Sequence, residues 1–162
     1  MKKYAILFAV FVIFFSGSLS MAQTQNHRLV ILADMGNEPD EEQQMAHLLL
    51  YANEIDIEGL IAVTGKYLNS SSSDPYKQVL HPELFLNIID GYSRVLDNLK
   101  LHASGWPEPE YLRSIVASGQ TGYGIAATGT GKSSRGSERL IECFMKDDER
   151  PLNIIVNAGS NT

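Results

Sequence analysis

Apolar and polar positions along this chain fall into blocks that predict strands separated by helices. Residues 29–33, Leu-Val-Ile-Leu-Ala, form a continuous apolar run with the length and β-branched content of a strand buried on both faces. Helical spacing follows over residues 40–53, with Met45, Leu48, Leu49 and Ala52 on one face. Residues 59–64, Gly-Leu-Ile-Ala-Val-Thr, predict a second buried strand, and the serines at 70–73 mark a polar loop after it. A helix over residues 82–99 carries Leu84, Ile88, Tyr92 and Val95 on one face. A short helix is expected over 109–117, stopped by Gly119. Ser137 is the expected cap of a further helix that carries Leu140, Ile141, Phe144 and Met145. Residues 152–156 predict a third buried strand. Strands spaced by helices argue an α/β fold with a doubly wound, mostly parallel sheet.

The first residues stand outside this pattern. Lys2 and Lys3 precede an apolar block over residues 4–15, and small residues then lead to Ser20-Met21-Ala22. That is the pattern of a signal peptide spanning residues 1–22, cleaved after Ala22. The block is shorter than the roughly 20 apolar residues of a membrane span. The mature chain, residues 23–162, is expected to be a single domain, exported to the periplasm or the extracellular space and free of the membrane. Cleavage removes two lysines and no acid, so the formal charge moves from −6 to −8. Such an acidic balance argues against nucleic acid and anionic membrane surfaces as partners. Cys143 is the sole cysteine and lies in a helical pattern, which predicts a buried, inert thiol.

The candidate chemistry sits between the first strand and the first helix, in the stretch Asp34-Met35-Gly36-Asn37-Glu38-Pro39-Asp40-Glu41-Glu42. In open α/β sheets, ligands bind at the carboxyl ends of strands. Gly36 gives the backbone freedom to turn sharply there. Helix capping by Asp40 or Asn37 explains one or two of the polar residues. It does not explain Asp34, which leaves the strand side to face the same turn as Glu38, Asp40, Glu41 and Glu42. Converging carboxylates repel one another unless a cation lies between them, and oxygen ligands in a loop suit calcium or magnesium.

These residues carry a family resemblance. Asp34-x-Gly36 followed by Asp40-Glu41 resembles the aspartate-rich signature of calcium-dependent nucleoside hydrolases. The form with Asn37-Glu38-Pro39 inserted is closer to a secreted bacterial family described as cellulose-binding proteins with a nucleoside hydrolase-like domain. Residues 48–61, His81-Pro82-Glu83-Leu84, Tyr111-Leu112-Arg113-Ser114 and Gly122-Tyr123-Gly124 fit it as well. The resemblance implies a nucleoside hydrolase-like fold and a calcium ion held by Asp34, Glu41 and the backbone carbonyl of Ala158. It gives Asp34 the role of general base towards a calcium-activated water. Asp40, Asn37 and Glu38 become the substrate-binding residues, Asp40 through sugar hydroxyls. Glu41 stands where the hydrolases have a second aspartate, which shifts the ligand geometry. The implied partner is a carbohydrate or nucleoside-like small molecule. Further residues of the family's site lie beyond its counterpart of Thr162, so the chain is expected to be a truncated, N-terminal portion without useful turnover of its own. The alternative is a non-catalytic carbohydrate-binding protein that keeps the hydrolase fold.

Two other features are read as structural. Residues 126–133, Ala-Ala-Thr-Gly-Thr-Gly-Lys-Ser, loosely fit a phosphate-binding loop. No strand is expected before them and no apolar helical face directly after, as phosphate cradling requires, so a surface loop that can reach over the acidic turn is expected. His102, Trp106, Tyr111 and Tyr123 are expected to serve packing rather than stacking. His47 is expected on the polar face of the first helix.

Overall fold

The computed structural model describes residues 25–159. The expected signal peptide lies outside the described residues. Four parallel strands form one sheet in the order β3-β2-β1-β4: β1 (His27–Ala33), β2 (Ile55–Ala62), β3 (Val116–Ser118) and β4 (Leu152–Val156). The helices are α1 (Pro39–Leu49), α2 (Pro82–Lys100), α3 (Pro109–Ser114) and α4 (Arg135–Met145).

Alternation along β1 sorts the core into two layers, because successive side chains of a strand point to opposite faces. Leu29, Ile31 and Ala33 face a cluster with Met45 and Leu49 of α1, Phe85 and Ile89 of α2, and Leu112 of α3. Val30 and Leu32 face Ile61, Val63 and Cys143, the last on α4. Helices therefore cover both sides of a parallel sheet, which is the doubly wound α/β architecture. No helix among the described residues is long and apolar enough to cross a membrane.

Several elements depart from the sequence expectations. β2 begins at Ile55 rather than at residue 59, although Asp56 and Glu58 interrupt its apolar pattern. Both acids are satisfied by distant arginines. Asp56 pairs with Arg150, and buried Glu58 pairs with buried Arg28 across 2.9 Å. Lys146 adds a second cation to Glu58. A register shift between Leu29 and Val30 leaves Glu58 without its own partner on β1. The expected helix over 109–117 ends at Ser114, and its last residues form β3. The first helix stops at Leu49, with Ala52 still buried in the turns beyond it.

The buried face of α2 is Phe85, Ile89, Tyr92 and Leu96, one residue on from the expected stripe except at the shared Tyr92. Two apolar stripes lie side by side there, and the bulky Phe85 takes the interior. The cap of α4 is Ser134, whose side chain accepts from the Ser137 amide in a capping box, so the expected cap is instead its third helical residue. Ile141, Phe144 and Met145 are exposed, while Cys143 is buried as expected. β4 has the expected bounds but forms an edge of the sheet, and Ile155 and Val156 are exposed rather than buried.

Candidate active site

Three strands deliver their carboxyl ends to one place. β1 ends into Asp34, β2 ends at Ala62 and leads through Val63 and Thr64 into Gly65, and β4 leads into Asn157, Ala158 and Gly159. Backbone bonds tie these ends together: Val63 N donates to Ala33 O, Asn157 N to Leu32 O and Gly159 N to Thr64 O. Directly after β1 the Asn37 amide donates back to Asp34 O at 3.0 Å, closing a turn with Gly36 at φ +89°. A side chain at Gly36 would also meet His81 and Tyr76 at 2.9 Å, so this position favours glycine on both counts. The Tyr76 ring stacks on His81 with ring centroids 3.9 Å apart.

Asp34, Asn37, Glu38 and Glu41 line a cavity of about 330 Å³. Gly65, Lys66, Tyr67 and Tyr123 form its second wall, and Asn157, Ala158 and Gly159 a third. Asp34 is 4 % exposed and Glu41 6 %, so two carboxylates are nearly removed from water here. Burial pushes the Asp34 carboxyl above the ordinary range, against hydrogen bonds from Glu41 and Asn37 that favour its ionised form. Burial, with the neighbouring charges of Asp34 and Asp40, pushes Glu41 up to about 7. Glu41 Oε2 is buried with no hydrogen-bond partner among the described residues. A buried acceptor without a partner costs of order 1–3 kcal/mol, and more when charged.

Gly65 completes the pocket by what it lacks. A Cβ there would stand 2.0 Å from Asp34 Oδ2, so the carboxylate fills the space that any other residue would occupy. The two carboxylates, with the Ala158 segment beside them, make a donor set of oxygens, and an oxygen-seeking cation fits it. Such an ion would supply the partner that Glu41 Oε2 lacks. Among the described residues no three or more His, Cys, Asp or Glu side chains gather in a metal-binding group, and of the three carboxylates that line the cavity only Asp34 and Glu41 are buried.

The remaining sequence candidates are placed as follows. Asn37 faces the cavity with its Oδ1 held by Lys77 Nζ at 3.1 Å. Glu38 is exposed at the cavity edge and occupies the backbone N-cap position of α1, without a side-chain cap. Neither Asn37 nor Asp40 caps that helix. Asp40 is exposed in the first turn of α1, next to Glu41 but outside the cavity lining. Ala158 lines the cavity and packs on the β1–α4 core. His47 is exposed on α1.

The glycine loop does not line the cavity. Ile125–Ala127 is a single 3-10 turn with no strand running directly into it, which does not fit the phosphate-cradling geometry. Of the four ring residues set aside as packing, Trp106 packs on the core and Tyr111 donates to Ile57 O. Tyr123 instead stands at the site. Gly65, Lys66, Tyr67 and Asn157 were missed. Their signal was positional, since all four follow directly on the apolar runs that end at Thr64 and Val156.

A larger cavity, about 660 Å³, opens at the opposite, amino ends of the strands among Asp56, Asp148 and Arg150. Three of its charges are paired with one another: Arg150 bonds both Asp56 and Asp148 and holds the latter carboxyl well below its ordinary range. This end is a structural ion network.

The profile of the family described as "Cellulose-binding Sde182, nucleoside hydrolase-like domain" matches residues 28–162. A solved structure of a nucleoside hydrolase-related hypothetical protein from Saccharophagus degradans, described as associated with carbohydrate metabolism, is similar at 38% identity and a TM-score of 0.69. The match covers 80% of this chain and 30% of that one, so the chain spans under a third of that relative's length. No curated protein matches the chain. With its fold, its strand-end acidic turn and this profile in agreement, the chain belongs to the family of cellulose-binding Sde182 proteins, through their nucleoside hydrolase-like domain.

Proposed function

We propose that this domain acts outside the cytoplasm as the calcium-holding part of a glycosidic-bond hydrolase, with Asp34, Glu41 and the Ala158 backbone as ligands and a carbohydrate as substrate. The observation that carries the reading is the buried, unpartnered Glu41 Oε2 beside a second buried carboxylate. Two such groups are unfavourable together without a cation and favourable around one. Calcium, when bound, supplies the positive charge that makes a water more acidic and orients sugar hydroxyls.

The chain's own residues do the rest. Asp34, made more basic by burial, takes a proton from the attacking water at its carboxylate oxygens. Gly65 leaves that carboxylate its place. Asn37 and Glu38 face the cavity with polar groups suited to ring hydroxyls. The surrounding carboxylate charge favours the positive character that an anomeric carbon gains as its bond breaks.

A second reading, binding without turnover, is favoured by a specific observation. Only two carboxylates are buried at the site, and Asp40 lies outside it. The two readings separate in one experiment on a longer polypeptide that carries this domain, with calcium present. Released sugar or base from cello-oligosaccharides or nucleosides, lost in Asp34→Ala, supports hydrolysis. Retention on insoluble cellulose without any release supports binding alone.

A further inference from the structure

The aromatic wall of the Asp34 cavity is shared. Lys66, Tyr67 and Tyr123 also line a second cavity, about 460 Å³, whose lining reaches Ser71 and Ser73. Each cavity alone is of ligand size, since small-molecule sites run from about 300 to 1,000 Å³. We propose that the two form one groove for an oligosaccharide, with Tyr67 and Tyr123 as the platform of a second sugar subsite. This rests on the reading of the Asp34 cavity as a carbohydrate site and extends it from one ring to a chain of rings.

The side chains there suit that occupant. Tyr67 is 60% exposed and Tyr123 48%, and neither phenol has a hydrogen-bond partner among the described residues. Aromatic bodies with free polar tips offer a sugar both an apolar face and a hydroxyl partner. The Lys66 ammonium lies 5.2 Å from the Tyr67 ring centroid, a cation–π contact that restrains the ring. Beyond the tyrosines the lining is three serines and Asn69, so it carries hydroxyl groups and no acid. An anionic ligand would meet Asp34, Glu38 and Glu41 at the other end. A purely apolar one would leave the serine wall unpaired. A neutral, hydroxyl-rich chain satisfies both ends.

The groove is also held in shape. Asn69, buried, donates from Nδ2 to Gly65 O at 3.0 Å and to Lys66 O at 3.1 Å, while its Oδ1 accepts from Ser71 N at 3.0 Å. One side chain thus fixes the strand end that carries Tyr67 to the loop that forms the far wall. Ser70 N donates to Thr121 O and Thr64 Oγ1 to Gly122 O, which ties the segment bearing Tyr123 to the same frame. Binding then orders little of the protein, and preorganisation of this kind favours affinity.

The test is calorimetry on the chain with glucose, cellobiose and cellotetraose, in calcium, for the unaltered protein, Tyr67→Ala, Tyr123→Ala and Tyr67→Phe. Both tyrosines are exposed, so their replacement leaves the core intact. The expected result is affinity that rises with chain length, falls about tenfold for cellotetraose in each alanine variant, and falls less in Tyr67→Phe, which keeps the ring face and loses only the phenol. Equal affinity for one ring and four, or alanine variants that bind cellotetraose as the unaltered protein does, overturns the second subsite. A calcium titration without sugar reads the carboxylate site separately. Its failure would sink the metal reading, while the length dependence would still decide the groove.

Discussion

Replacing Gly65 by alanine should damage the site through a single contact. The added Cβ would lie 2.0 Å from Asp34 Oδ2, 2.9 Å from its Cγ and 3.3 Å from its Cβ. Ordinary contact begins at 3.4 Å, so the carboxylate oxygen must retreat by about 1.4 Å. Metal–oxygen distances in a working site are met to within about 0.2 Å, so a shift of that size takes Asp34 out of coordination. Calcium affinity should fall at least about tenfold, equivalent to about 1.4 kcal/mol. The assay is a calcium titration by calorimetry on the unaltered protein, Gly65→Ala, Asp34→Ala and the double variant. Because the shortest clash is with the carboxylate, Gly65→Ala should cost almost nothing further once Asp34 is alanine, and the cycle should show strong non-additivity. Unchanged affinity in Gly65→Ala, or losses that simply add, would refute the argument that Gly65 acts by making room for Asp34.

Three further outcomes follow from the same geometry. The metal-free protein should lose stability as pH rises from about 4.5 to about 7, by at most about 3 kcal/mol, because unfolded Glu41 ionises first while folded Glu41 holds its proton up to about 7. Urea melts across that range should show the slope, and Glu41→Gln should flatten it; an unaltered slope in the variant would remove Glu41 as its source. Arg28→Ala should destabilise the fold by about 3–5 kcal/mol in chemical denaturation, since it strands buried Glu58. A loss below about 1 kcal/mol would show that Lys146 alone suffices for Glu58. Mass spectrometry of exported material should find an N-terminus near Gln23, and an intact Met1 would count against export by signal cleavage.

Much of this architecture could be read from the sequence because it rests on uninterrupted patterns. The run ending at Ala33 and the acids after Gly36 placed a strand, a turn and a helix in order, and those local features locate the site. What the sequence hid depends on distant partners. Ile55 to Glu58 looked too charged for a strand because Arg28 and Arg150, which neutralise it, lie far away in the chain. β3 was absorbed into the preceding helix because three residues carry too little periodicity to separate from a helix end. Gly65 was invisible for another reason. Its importance is a distance to Asp34, thirty-one positions earlier, and no local pattern encodes a space that must stay empty. Tyr123 was read as packing because nothing near it in sequence places it opposite Asn37 and Glu38.

The proposed function stands or falls on whether Asp34 and Glu41 hold a cation between them. Calcium calorimetry on the purified mature chain, repeated on Asp34→Asn and Glu41→Gln, tests it most directly. Both substitutions keep the side-chain volume and remove one charge. Saturable binding in the unaltered protein that is weakened at least about tenfold in each variant is the predicted result. Binding of equal strength in all three proteins, or none in the unaltered one, would contradict it.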